Sequence, residues 1–258
     1  MITDYGCKQL TQSSDKLPAV AGLAKRFLNI SPIPGNEYFA GLWKYSMLRD
    51  LLWAHQSVLS FSFFGDMVRS QRMSYYRAPS WSWASVDGGI RWPFPDESGS
   101  SLCASLICAV IRPREPSNPY GEVKQGSYLT ISALLWRLPE VIKQRVLVHD
   151  ACWCKFADVP FRKIDQVYLD EEQLQVAEQH MKEDIFFSMI ARNCGLILGS
   201  EACPGGGVND TNKASPSDTP KTCSDISVRQ YRCIGIVRLI FQSRMHCIEA
   251  PVEEVRIV

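Results

Sequence analysis

Beyond about residue 70 the chain breaks into short runs rich in β-branched and aromatic residues, each closed by Gly, Pro, Asn or Asp. This texture constrains the fold more than any other feature, because such runs are stable only when paired in a sheet. Strands are expected over residues 101–111, 126–135, 145–149, 166–169, 184–190, 194–198, 229–241 and 253–258. Pro113, Pro116, Pro119 and Gly121 separate the first from the second. Before residue 70 the spacing is helical. Residues 15–29 place Leu17, Val20, Ala21, Ala24, Phe27 and Leu28 along one side, with Ser14 or Asp15 to cap the first turn. Pro18 falls in that turn, where a missing N–H costs little. After a turn at residues 31–36, a second helix is expected over 37–55, burying Phe39, Leu42, Trp43, Leu48, Leu51 and Leu52.

Helices followed by strands predict an α+β protein. Its N-terminal helical segment, residues 1–70, packs on a mainly antiparallel β-rich domain, residues 71–258, built as a partly closed barrel or a sandwich. Two stretches stand outside this pattern. Residues 171–182 are charged and read as a surface helix or extended loop. Residues 199–227 are dominated by Gly, Pro, Ser, Thr, Asp, Asn and Lys, and carry too little apolar surface to offset the entropy of ordering them. They read as a disordered insertion between two strands.

Charge and composition exclude several functions. With 28 basic against 27 acidic side chains the net charge is +1, which provides no electrostatic footprint for nucleic acid or an anionic membrane. The longest apolar stretch, residues 51–64, is interrupted by His55, Gln56 and serines, well short of the ~20 residues that cross a bilayer. The first residues are polar and lack the apolar core of an export signal. Ten cysteines are below the density of a disulfide scaffold, so reduced thiols and a cytoplasmic location are expected.

No pattern of catalysis emerges. Gly-x-Ser-x-Gly is absent, and no Gly-rich loop carries the Lys-Ser/Thr of a phosphate cradle. The one cluster with metal-ligand chemistry is His149-Asp150-Ala151-Cys152-Trp153-Cys154. Asp150, Cys152 and Cys154 share a strand face by parity, but structural zinc needs a second ligand pair and none follows. No cofactor is expected. The stretch Tyr76 to Gly89 is the most distinctive: Trp81 and Trp83 alternate with Ser80, Ser82, Ala84 and Ser85 ahead of Asp87-Gly88-Gly89. In an extended segment both indoles face one way, as a ligand platform or as core anchors. Packing is the commoner use of such side chains. Trp43, Trp53, Trp81 and Trp83 are expected to fasten the helices to the strands.

The same residues resemble a family. Asp4-Tyr5, Gln9-Leu10-Thr11 and the run from Ser14 to Ala24 look like the closing segment of the fungal heterokaryon-incompatibility (HET) domain. Tyr38-Phe39-Ala40-Gly41-Leu42-Trp43, then Leu51-Leu52-Trp53, then Ala78-Pro79-Ser80-Trp81-Ser82-Trp83-Ala84-Ser85 follow in the family's order. Gly195 to Leu198 and Tyr231 to Gly235 are similar to its β-rich tail. Family members carry well over a hundred residues upstream of this point, forming most of a module with a TIR-like α/β fold. The resemblance therefore implies a C-terminal portion lacking most of the HET module, non-enzymatic, and acting through protein–protein contact. Its partner would be a full-length HET-family protein, and its setting fungal heterokaryon incompatibility, programmed cell death or their regulation. The competing expectation is an accessory protein or enzyme of fungal secondary metabolism, with a site assembled from scattered polar residues.

Overall fold

The computed structural model describes residues 2–6, 8, 10–30, 37–55, 71–73, 75–93, 102–140, 143, 161–169, 183–191, 193–201, 229–241 and 251–258. The expected strand over 145–149 lies outside these residues, as does the charged stretch 171–182. So do residues 202–227 of the Gly/Ser-rich insertion.

The N-terminal part begins with a short helix α1 (Ile2–Gly6), a 3-10 turn (Ser13–Lys16) and helix α2 (Pro18–Ile30). Helix α2 starts three residues later and ends one later than the predicted span 15–29, with Pro18 at its first position and the 3-10 turn before it. Residues 37–55 are not a helix. They form a two-residue hairpin, β1 (Tyr38–Phe39) with β2 (Leu42–Trp43), then a single helical turn α3 (Met47–Asp50) and strand β3 (Ala54–His55). Ala40 and Gly41 both have positive φ, 45° and 100°, as a mirror-image hairpin turn demands. A helix cannot pass through that point.

Next come β4 (Gln71–Arg72), a 3-10 turn over Trp83–Ser85, β5 (Val86–Asp87) and β6 (Ile90–Arg91). Pairing of β4 with β5 and of β3 with β6 wraps these short strands around the tryptophan loop. The segment Ser80 to Ser85 is thus a turn rather than an extended strand, and the parity argument for Trp81 and Trp83 does not apply to it.

The body is a seven-stranded sheet of β7 (Ser105–Val110), β8 (Tyr128–Arg137), β9 (Phe161–Leu169), β10 (Ile185–Ala191), β11 (Cys194–Ser200), β12 (Gln230–Phe241) and β13 (Val252–Ile257). Five strands close a barrel in the order β8, β10, β11, β12, β13 and back to β8. Length explains the closure. One edge of β8 pairs with β13 from Leu129 to Leu134, while its other edge serves β7 first and then β10 through Leu135, Trp136 and Arg137. Every pair is antiparallel except β12 with β13. Strands β10 and β11 are buried along almost their full length, and such continuous burial requires cover on both faces. An α+β protein whose strands close into a small barrel is therefore what the chain builds.

One gap in the barrel wall joins the two parts. Strand β12 pairs with β13 only at Gln230 and Tyr231, and with β9 from Gly235 onward. Cys233 lies between, opposite a register shift on the β11 side. Its amide donates to Ser80 Oγ at 2.9 Å, and its carbonyl accepts from Arg72 Nη2 at 3.2 Å. Ser80 also donates its amide to the Val258 carbonyl at 3.0 Å, and its hydroxyl bonds the same oxygen. Side chains of the tryptophan loop complete the ladder that the strands leave open.

Candidate functional site

The tryptophan loop is the centre from which every nearby surface is positioned. Trp53, Trp81 and Trp83 are each at most 1% exposed. Trp53 Nε1 donates to the Trp81 carbonyl at 2.9 Å, and Trp83 Nε1 to the Gly41 carbonyl at 3.0 Å. Ser82 Oγ donates to the Ala40 carbonyl at 2.6 Å while accepting the Ala84 amide, so it fixes the hairpin and caps the 3-10 turn together. Arg77 Nε donates to the Ala84 carbonyl at 2.7 Å, and its Nη1 pairs with Asp87 at 2.7 Å. Lys16, almost fully buried, reaches the Val86 carbonyl, lies 3.6 Å from Asp87, and places its ammonium 5.9 Å from the Trp83 ring centre. Three of the four signature tryptophans are core anchors. The platform reading of Trp81 and Trp83 has no exposed ring to support it.

Trp43 differs: it is half-buried and stands at an open cleft of about 310 Å³ between α2 and the hairpin. Its ring meets Phe27 at 5.3 Å and Tyr38 at 4.9 Å between centres. Phe27, expected in the core, is 47% exposed, because Val20, Ala21 and Ala24 on the neighbouring stripe of α2 already fill the interior. Leu23 at 50% and Ile30 at 71% exposure continue a solvent-facing apolar stripe at i, i+4 and i+7. Trp92 and Asp50 line the same cleft, with Trp92 Nε1 donating to the Asp50 carbonyl at 3.1 Å. Burial pushes the Asp50 carboxyl above the ordinary carboxylate range, opposed by a hydrogen bond from Ser46 Oγ and by the charge of Arg49. Burial likewise raises the Tyr38 phenol. No signal in the sequence marked this cleft beyond the Tyr38 to Trp43 string, since Asp50 and Trp92 belong to no motif.

A second, more polar cleft of about 320 Å³ lies beside Ser80 and is lined by Arg72, Arg77, Tyr76, Glu201 and Arg232 among others. Two of its cations are structural: Arg77 holds Asp87 and the Ala84 carbonyl, and Arg72 holds the Cys233 carbonyl. Tyr76 donates its hydroxyl to the Lys124 carbonyl at 2.9 Å.

The remaining residues singled out in the sequence are quickly placed. Asp150, Cys152 and Cys154 lie outside the described residues, and so do the side chains of all four histidines. Among the described residues no three His, Cys, Asp or Glu side chains gather as metal ligands. Cys194 and Cys233 are buried, while Cys103 and Cys108 are exposed. The serines of the tryptophan loop spend their hydroxyls on backbone carbonyls and amides. No described helix is long and apolar enough to cross a membrane. In comparisons with protein-family models, curated proteins and solved structures, the chain matches none.

Proposed function

We propose that this protein is non-enzymatic and acts by protein–protein contact, as a relative of the C-terminal part of HET-domain proteins. Its partner is the HET module of a full-length relative, and the contact serves heterokaryon incompatibility and cell death, or restrains them, in the cytoplasm of a fungal cell. The observation that carries this reading is the apolar stripe Leu23, Phe27 and Ile30, 47–71% exposed on a helix whose other stripe is core. In the resemblance set out above, α2 is the last element of the HET module, so its outer side is where the rest of a module would pack. Exposed apolar side chains aligned on one helix favour burial by a partner. Co-expression with a tagged HET module gives the test. A complex that survives purification, and that Leu23→Asp with Ile30→Asp abolishes without lowering the melting temperature, is the expected outcome. Failure of the wild-type chain to co-purify with any HET module would overturn it.

A further inference from the structure

The stripe explains the outer side of α2, but not why an acidic residue, Asp50, lines the otherwise apolar and aromatic cleft beneath it. Asp50 is partly buried in the cleft, accepts one hydrogen bond from Ser46 Oγ, and makes no ion pair among the described residues. Around the same space stand Phe27, Tyr38, Trp43, Trp83 and Trp92. We propose that this cleft binds an organic ammonium ion of the methylated or quaternary kind, its alkyl groups against the aromatic faces and its charge opposite Asp50.

Elimination supports the choice. An anion would be repelled by Asp50. A purely apolar guest would strip the carboxylate of its remaining water without compensating its charge. A small metal ion prefers several oxygen ligands, and Asp50 is the one acidic residue among the described residues that line this cleft. An alkylammonium carries its charge on a weakly hydrated apolar surface, and the negative faces of indole and phenol rings attract it. The chain already uses the chemistry once on this wall, where Lys16 stands over Trp83. The volume of about 310 Å³ has room for a trimethylammonium group together with the chain that carries it. The raised Asp50 carboxyl agrees: an ionised carboxylate short of partners gains from an incoming cation.

This inference does not rest on the HET-partner reading, and its test is separate. Calorimetric titration of the full chain would use choline, its neutral isostere with a tert-butyl group in place of trimethylammonium, and a peptide bearing trimethyllysine. Choline should bind about tenfold or more tightly than the isostere, and Asp50→Asn should erase that preference while leaving the melting curve in place. Trp43→Leu should weaken choline without touching the isostere to the same degree. Tighter binding of the peptide than of choline upholds the chemistry and assigns the cation to a protein side chain. The opposite order upholds it and assigns a free small molecule. Equal affinity for choline and its isostere, no binding of any cation, or full binding by Asp50→Asn overturns the proposal. None of these outcomes depends on whether a HET module co-purifies.

Discussion

Ser80 and Cys233, 153 positions apart, share a 2.9 Å hydrogen bond that closes the barrel wall where no strand does. The bond is worth more than its length suggests, because both residues are buried and the amide has no water to fall back on. Ser80→Ala removes the acceptor of this bond from a buried amide. We expect a loss of about 1–3 kcal/mol in urea unfolding, with little change in slope. A midpoint equal to wild type would show that the tryptophan loop is not part of the barrel's hydrogen-bond ladder.

The hairpin gives a sharper contrast between two glycines. Gly41 sits at φ 100°, and a Cβ there would come within 2.6 Å of the buried Trp83 Nε1. Gly22 lies in α2 with nothing within 4 Å of the added atom. Gly41→Ala should destabilise by more than about 1–2 kcal/mol, through strain and loss of the Trp83 bond. Gly22→Ala should stabilise by about 0.5–1 kcal/mol by restricting the unfolded chain. Thermal melting of the two variants checks both signs at once.

These residues also show how far the sequence could be read. Strands β7, β8, β10, β11, β12 and β13 fall where the short β-rich runs lie, because alternation with turn residues is a local signal. The hairpin at Tyr38 to Trp43 was hidden because its turn is Ala-Gly rather than Asn-Gly or Asp-Gly. Its positive φ at Ala40 is held by tertiary bonds, from Ser82 and Trp83 to the carbonyls of Ala40 and Gly41. Phe39, Leu42 and Trp43 happen to fit a helical spacing as well as a strand, and only those distant partners decide between the two. Closure of the barrel was half legible. Strand count suggested a barrel or a sandwich, but the extra length of β8 that reaches β10 is a property of pairing, not of composition. The cleft with Asp50 was hardly legible beyond the Tyr38 to Trp43 string, since its walls come from α1, α2, the hairpin, α3, Trp83 and Trp92, separate stretches of chain.

Alkaline pH should expose the tyrosines. Tyr76 is 39% exposed, and the partial burial of its phenol pushes it up to about 12, against roughly 10 in an unfolded chain. Tyr38 moves the same way for the same reason. A raised phenol means that the folded state holds its proton more tightly than the unfolded state. The stability it contributes is complete below about pH 10 and is lost as pH rises through about 12. Stability measured against pH should therefore fall in that window, and Tyr76→Phe should make the fall shallower. An unchanged slope in the variant would mean the phenol is not sequestered.

The last contrast lies within the tryptophan core. Trp53 Nε1 donates to the Trp81 carbonyl, whereas the buried Trp81 Nε1 has no hydrogen-bond partner among the described residues. Trp81→Ala should cost on the order of 3–5 kcal/mol, since the indole is fully buried. Phenylalanine separates volume from hydrogen bonding, because both exchanges remove the same atoms from equally buried sites. Trp53→Phe strands the Trp81 carbonyl and should add about 1–3 kcal/mol to the cost of the lost volume. Trp81→Phe discards an N–H that was unsatisfied and should be the milder of the two. Denaturant midpoints of the pair decide the matter. If Trp81→Phe proves the more damaging, its indole N–H has a partner in the folded protein, and the loop is held by one more bond than those described.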